Sequence, residues 1–165
     1  METVTVRRVI DAPIAEVFDW CATTTHYTRS PFVLRARLAR QGEGAPYGVG
    51  AVRLHTWLIG WFRERVTAYN PPYGFDYVVE RSVPSARHEL GRLTFTEVPE
   101  GTLVEWTTRF RPPLRCVAGP AKAVIAYVFG TILDAGAAEL TRERMDPDGG
   151  GAHGRGGESG AGAGR

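Results

Sequence analysis

Lysine is almost missing from this 165-residue chain: Lys122 is the single one among 20 basic residues, and the rest are arginines. Those arginines alternate with apolar residues instead of forming runs, and no basic stretch is interleaved with aromatics. With a net charge of only +2, that pattern excludes a nucleic-acid groove. Cysteine is equally scarce. Cys21 and Cys116 share no metal-ligand spacing and make no secreted disulfide pattern. The 4 histidines stand in no histidine–carboxylate cluster. Gly48-Val49-Gly50 is not followed by a helix, so it does not cradle a phosphate. Neither a metal nor a cofactor is therefore expected. No internal repeat is visible. The N-terminus runs straight into alternating residues without a signal-peptide pattern, and a cytoplasmic location is expected. The one long apolar stretch is broken by Pro120, Lys122 and Asp134, and its uninterrupted part is shorter than the roughly 20 residues a bilayer needs. No membrane span is expected.

That stretch, Gly119 to Arg144, organises the rest. Gly119-Pro120 suits a helix start, because the fixed φ of proline fits the first helical position. Val124, Val128, Thr131, Ala135 and Ala138 form one helical stripe. Ile125, Phe129, Ile132, Gly136 and Leu140 form a second, so the helix should be buried on more than one side. The small residues Gly130, Ala135, Gly136 and Ala138 leave space beside it, which points to a ligand-sized hollow. From Asp146 onward glycine dominates. Such a segment buries too little to offset its ordering entropy, so residues 146–165 are expected to be a disordered tail and residues 1–145 one domain.

Upstream, Thr3–Ile10 alternates as a strand. Asp11-Ala12-Pro13 stops it and starts a helix with Ile14, Val17, Phe18 and Cys21 on one face. A short second helix around Tyr27 precedes an irregular strand at 33–40. Five further strand-like stretches follow, at 51–58, 61–69, 75–83, 88–98 and 103–110, separated by turn residues such as Ile59-Gly60 and Pro99-Glu100-Gly101. Consecutive strands with short turns make an antiparallel sheet. The terminal helix must cover its inner face.

This order, with Ile10-Asp11-Ala12-Pro13 after the first strand, resembles the Bet v 1/START-like (SRPBCC) superfamily. Gly48-Val49-Gly50-Ala51-Val52-Arg53, Glu64-Arg65-Val66 with Pro71-Pro72 downstream, Gly101-Thr102 and Trp106 are similar to its polyketide cyclase/dehydrase-like branch. His26-Tyr27-Thr28-Arg29-Ser30-Pro31 stands where monodomain aromatase/cyclases carry a tryptophan-proline motif. The resemblance covers residues 3 to 144. It implies an α+β helix-grip fold, with a curved antiparallel sheet of about seven strands around the long C-terminal helix. It also implies a cavity for a hydrophobic or polyketide-type small molecule. The expected function is that of a polyketide cyclase/dehydrase-like enzyme acting by cyclisation or dehydration. The alternative is a non-catalytic carrier or sensor of a hydrophobic metabolite or lipid. A third possibility is a sealed core without a ligand.

In monodomain aromatase/cyclases a pocket arginine stands in the stretch matched by Glu64-Arg65-Val66, which makes Arg65 the first catalytic candidate. A guanidinium can hold a ketone or enolate oxygen as charge develops there. Neighbouring strand residues face opposite ways. Either Arg63, Arg65 and Thr67 point inward with Glu64 outside, or Glu64 and Val66 point inward with the arginines solvated. Arg53 and His55 share a face of their strand; Arg53 is the second catalytic candidate, for polarising the same oxygen, and His55 is a candidate general base. His88 ranks below it. Tyr77, Trp106, Thr108 and Phe110 from the strands, Val128, Thr131 and Tyr127 from the long helix, and Trp20 from the first helix are expected to meet the ligand. The hairpin 57–62, with Trp57, Leu58, Ile59, Trp61 and Phe62, is apolar throughout, which marks it as a lid or a homodimer contact.

Overall fold

The computed structural model describes residues 1–112 and 118–145. Strand β1 (Glu2–Ile10) is followed by helix α1 (Ile14–Ala22) and a 3-10 helix (Thr24–Arg29). Strands β2 (Val33–Arg40), β3 (Val52–Trp57), β4 (Gly60–Asn70), β5 (Gly74–Val83), β6 (Arg87–Val98) and β7 (Gly101–Arg111) come next, and helix α2 (Ala118–Met145) closes the chain. The seven strands form one antiparallel sheet in the order β1-β7-β6-β5-β4-β3-β2. This is the helix-grip α+β architecture that the sequence predicts. The expected tail at 146–165 lies outside the described residues.

Alternation decides which side of each strand is inside. In β7, Thr102, Val104, Trp106, Thr108 and Phe110 are buried while their neighbours are not. Register shifts at Arg63/Glu64, Val66/Ala68 and His88/Leu90 interrupt the central ladders. Such bulges bend strands, and here they curve the sheet around α2. Gly91 of β6 serves a close approach. A Cβ there would stand 2.1 Å from the Tyr77 ring, so glycine lets that ring lie flat across β6.

The sequence predicts a long helix buried on more than one side with a hollow beside its small residues. The structure corrects both points. The second stripe is the more deeply buried, with Phe129, Ile132, Gly136 and Leu140 inside; of the first, Val128 is buried, Thr131 and Ala135 are half-buried, and Val124 and Ala138 are exposed, as is Tyr127. A Cβ at Gly136 would meet Trp20 at 2.8 Å, and one at Gly130 would meet the Arg8 guanidinium at 3.1 Å. Those small residues admit side chains, not a ligand. By length and apolarity alone α2 could cross a bilayer. Here it packs Val128, Phe129, Ile132 and Leu133 into the core of the sheet. At its middle Phe129 stacks on Trp106 with ring centroids 3.9 Å apart. The grip is solid there.

Candidate functional site

The hollow lies on the other side of that stack. A cavity of about 420 Å³ opens between the sheet and the first turns of α2, within the range of small-molecule sites. Phe62, Tyr77, Val79 and Phe110 supply the sheet side, and Ala121, Ile125 and Phe129 the helix side. Trp57, Ile59 and Phe62 of the apolar hairpin turn toward the cavity, while Leu58 stays exposed at its tip. The polar exceptions in the wall include Glu64, His88 and Thr108.

Glu64 is the hub of a buried cluster. It stands opposite Arg53 in the β3–β4 ladder, and Arg53 Nη2 donates to Glu64 Oε2 at 2.8 Å. His55 Nε2 lies 3.1 Å from the same oxygen and 3.0 Å from Thr24 Oγ1. Burial pushes the Glu64 carboxyl up, but His55 and Arg53 outweigh it and hold the group at about 2. Burial opposes the Arg53 charge, and Glu64 more than restores it, so the guanidinium is raised above its ordinary value. Its face covers the rings of Phe75 and Tyr77, with Cζ 5.3 Å and 4.9 Å from their centroids. Arg53 Nε and Nη1 have no hydrogen-bond partner among the described residues. A cation so enclosed is held in place by one carboxylate and two aromatic faces.

Tyr77 links this cluster to a second one. Its other neighbour is His88, whose ring stacks at 5.7 Å, and its hydroxyl accepts from Trp106 Nε1 at 2.9 Å. Burial pushes the phenol up, and Glu64 adds to the effect. The His88 protons can be assigned. The Val79 backbone N–H donates to Nδ1 at 3.1 Å, so Nδ1 is bare. Nε2, 2.9 Å from Thr108 Oγ1, then carries the proton and donates it. Burial lowers the His88 pKa, with Glu64 opposing, which agrees with a neutral ring.

The family model described as polyketide cyclase/dehydrase and lipid transport matches residues 1–143. The chain belongs to this family. No curated protein matches the sequence. Among solved structures, the chain is similar to a protein from Nitrosospira multiformis at 22% identity and TM-score 0.65, over 87% of this chain and 99% of that one. A START superfamily protein from Mycobacterium smegmatis matches at 10% identity and TM-score 0.68, over 85% and 97%. Major latex-like protein 151 from Panax ginseng matches at 16% identity and TM-score 0.65, over 84% and 97%. These likenesses carry the fold.

Within this polyketide cyclase/dehydrase fold, the predicted site residues divide sharply. Tyr77, Thr108 and Phe110 line the cavity. Arg65, the first catalytic candidate, does not. Its Nε donates to Glu80 at 2.6 Å on the outer face, with the side chain 46% exposed. The odd residues of this part of β4 point out and the even ones in, so Glu64 and Val66 hold the inward positions. Arg53 and His55 are inside, but they lie behind Glu64 and off the cavity wall. Trp106 and Val128 are buried in the filled middle. Thr131 is spent on Ser30, and Trp20 packs under Gly136 and donates to Glu139. Tyr127 is 62% exposed and meets Phe32 edge-on, because it projects from the side of α2 away from the sheet. The sequence alone does not single out Glu64 as a site residue and puts His88 low. Alternation already offered Glu64 as one of two choices, whereas His88 gains its place only from partners 9 and 20 residues away. Among the described residues no group of three or more His, Cys, Asp or Glu side chains could hold a metal ion.

Proposed function

We propose that this protein binds one hydrophobic small molecule of the polyketide or lipid type in the cavity beside α2 and carries or senses it. The observation that carries this reading is the composition of the wall. Apolar side chains surround the ligand space, and the cations expected to drive ring closure are elsewhere: Arg65 is bound to Glu80 outside and Arg53 to Glu64 behind the wall. An apolar wall favours any guest that leaves water for it, at about 25 cal/mol per Å² of apolar surface removed. The hairpin residues Trp57, Ile59 and Phe62 would act as the lid over that guest.

A second reading, cyclisation or dehydration of the bound molecule, is favoured by one observation. Two titratable side chains, Glu64 and His88, reach the same cavity. Binding is tested with 1-anilinonaphthalene-8-sulfonate, whose fluorescence should rise on mixing with the protein. Ala121→Trp, which fills the helix side of the cavity, should abolish the rise without changing the circular dichroism. Native mass spectrometry of protein from its source organism then identifies the resident molecule. If that molecule is released unchanged after incubation, the carrier reading stands. Loss of water or a new chromatographic species on incubation establishes catalysis. Absence of both dye binding and a resident molecule would end the binding proposal.

A further inference from the structure

Resting on the reading of the cavity as a ligand site, we propose that its mouth docks on an anionic lipid bilayer. Leu58, Val83, Val124 and Tyr127 enter the interface, and Arg87 and Arg111 together hold a lipid phosphate.

The mouth is marked by the lining residues that reach the surface. These are Pro84 and Ser85 from the β5–β6 turn, and Pro120 and Val124 from the start of α2. Exposed apolar side chains gather around it. Val83 precedes Pro84 and pairs with Trp61 across the β4–β5 ladder, and its carbonyl lies directly against Gly60. The β3–β4 hairpin and the β5–β6 turn are therefore neighbours. At the hairpin tip the Leu58 N–H donates to the Phe32 carbonyl at 2.9 Å, and the Phe32 ring meets Tyr127 of α2 edge-on. Three elements thus hold Leu58, Val83, Val124 and Tyr127 exposed around one opening. Isolated exposed apolar residues are ordinary, but several around one opening mark a contact surface.

Charge is divided along the same axis. At the mouth end Arg35, Arg81, Arg87, Arg111 and Lys122 outnumber Glu2 and Glu89. At the opposite end Asp11, Glu43, Glu97, Glu100 and Glu143 outnumber Arg40, Arg142 and Arg144. Lys122 is paired with Glu2 at 3.4 Å, but the four arginines of the mouth end have no ion-pair partner among the described residues. The molecule is a dipole, and its positive end carries the opening. Arg87 and Arg111 are direct partners in the β6–β7 ladder, next to the wall residues Ala86 and Pro112. Like charges directly opposite destabilise a ladder. A phosphate shared by the two guanidinium groups removes that cost and suits their forked donors.

A second copy does not fit this end, because a two-fold contact would set the same arginines against one another. An acidic protein would match the charge but would close the opening. An anionic bilayer matches the charge, accepts apolar side chains, and lets an apolar guest pass between membrane and cavity without crossing water.

The test is co-sedimentation of the full chain with vesicles of phosphatidylcholine alone and of equal parts phosphatidylcholine and phosphatidylglycerol. The protein should pellet with the mixed vesicles at low salt and be released as salt rises. Arg87→Gln and Arg111→Gln should each weaken that binding about fivefold, whereas Arg142→Gln at the far end should leave it unchanged. Leu58→Ser and Tyr127→Ser should weaken it at every salt concentration. Equal binding to both kinds of vesicle, binding to neither, or a loss in Arg142→Gln equal to that in Arg87→Gln would overturn the docking. So would a dimer in solution that Leu58→Ser dissociates, since a second copy would then cover the patch. Dye binding without vesicles reports the cavity separately. Dye binding retained without vesicle binding overturns the docking and leaves the cavity reading intact. Vesicle binding retained without dye binding overturns the cavity reading and leaves the docking.

Discussion

Strand β4 builds two arginine–glutamate arrangements from neighbouring residues and places them on opposite faces of the sheet. Inside, Glu64 holds Arg53 with side-chain exposures of 6% and 1%. Outside, Arg63 and Arg65 share Glu80 with exposures of 40%, 46% and 27%. The chemistry is the same and the contacts are of similar length, at 2.8 Å against 3.1 Å and 2.6 Å. Surroundings separate their consequences. Solvent and salt screen the outer group, and exposed ion pairs contribute at most about 1 kcal/mol. The inner pair is enclosed, so removing one partner strands a charge that has no water to turn to. The motif that looked catalytic in the sequence belongs to the outer arrangement at its arginine and to the inner one at its glutamate.

The largest expected effect comes from breaking the inner pair. Glu64→Ala should lower unfolding stability by about 3–5 kcal/mol, read from urea midpoints. A Glu64→Leu/Arg53→Leu double variant should recover most of that loss. A Glu64→Ala protein within about 1 kcal/mol of the parent would erase the distinction between the faces. Next, Gly91→Ala pushes against the Tyr77 ring that covers Arg53. It should cost about 1–3 kcal/mol by overpacking, with no comparable loss from Arg92→Ala beside it.

Acid sharpens the comparison further. The Glu64 carboxyl is held at about 2 against an ordinary 4.5. Its contribution is therefore present above pH 4.5 and is lost as pH falls toward 2. His88 is depressed below its ordinary 6.5. Its neutral form belongs to the fold, so stability declines as pH drops below 6.5, and His88→Gln should flatten that part of the urea-midpoint profile. The smallest effect belongs to the outer group. Arg65→Ala and Glu80→Gln should each shift stability by less than about 1 kcal/mol and leave dye binding unchanged. Loss of binding in Arg65→Ala would show that the outer face communicates with the cavity after all.

The sheet was legible because alternation and turn residues are local. All seven strands and both helices lie where Val, Thr and aromatic spacing put them, with ends displaced by one or two residues. The candidate site was less legible because it depends on registers. Period two offers β4 two faces and cannot choose between them; the choice follows from pairing Arg53 with Glu64 and from the shift at Arg63/Glu64. The hollow was misplaced along α2 for a related reason. In the sequence Gly130 and Gly136 look like gaps, but Arg8 and Trp20 arrive from β1 and α1 to fill them. Small residues in a sequence show that something comes close without showing what.

The Trp106–Phe129 stack has a consequence for which molecules can enter. It is a bulkhead across the interior, so the compartment above it has a fixed depth however far the hairpin swings at the rim. Compact fused rings can settle wholly inside, whereas an extended acyl tail would meet the partition and be left protruding. Replacing Trp106 with a smaller residue would open space beneath the stack, and the length of guest admitted would then grow more than its girth.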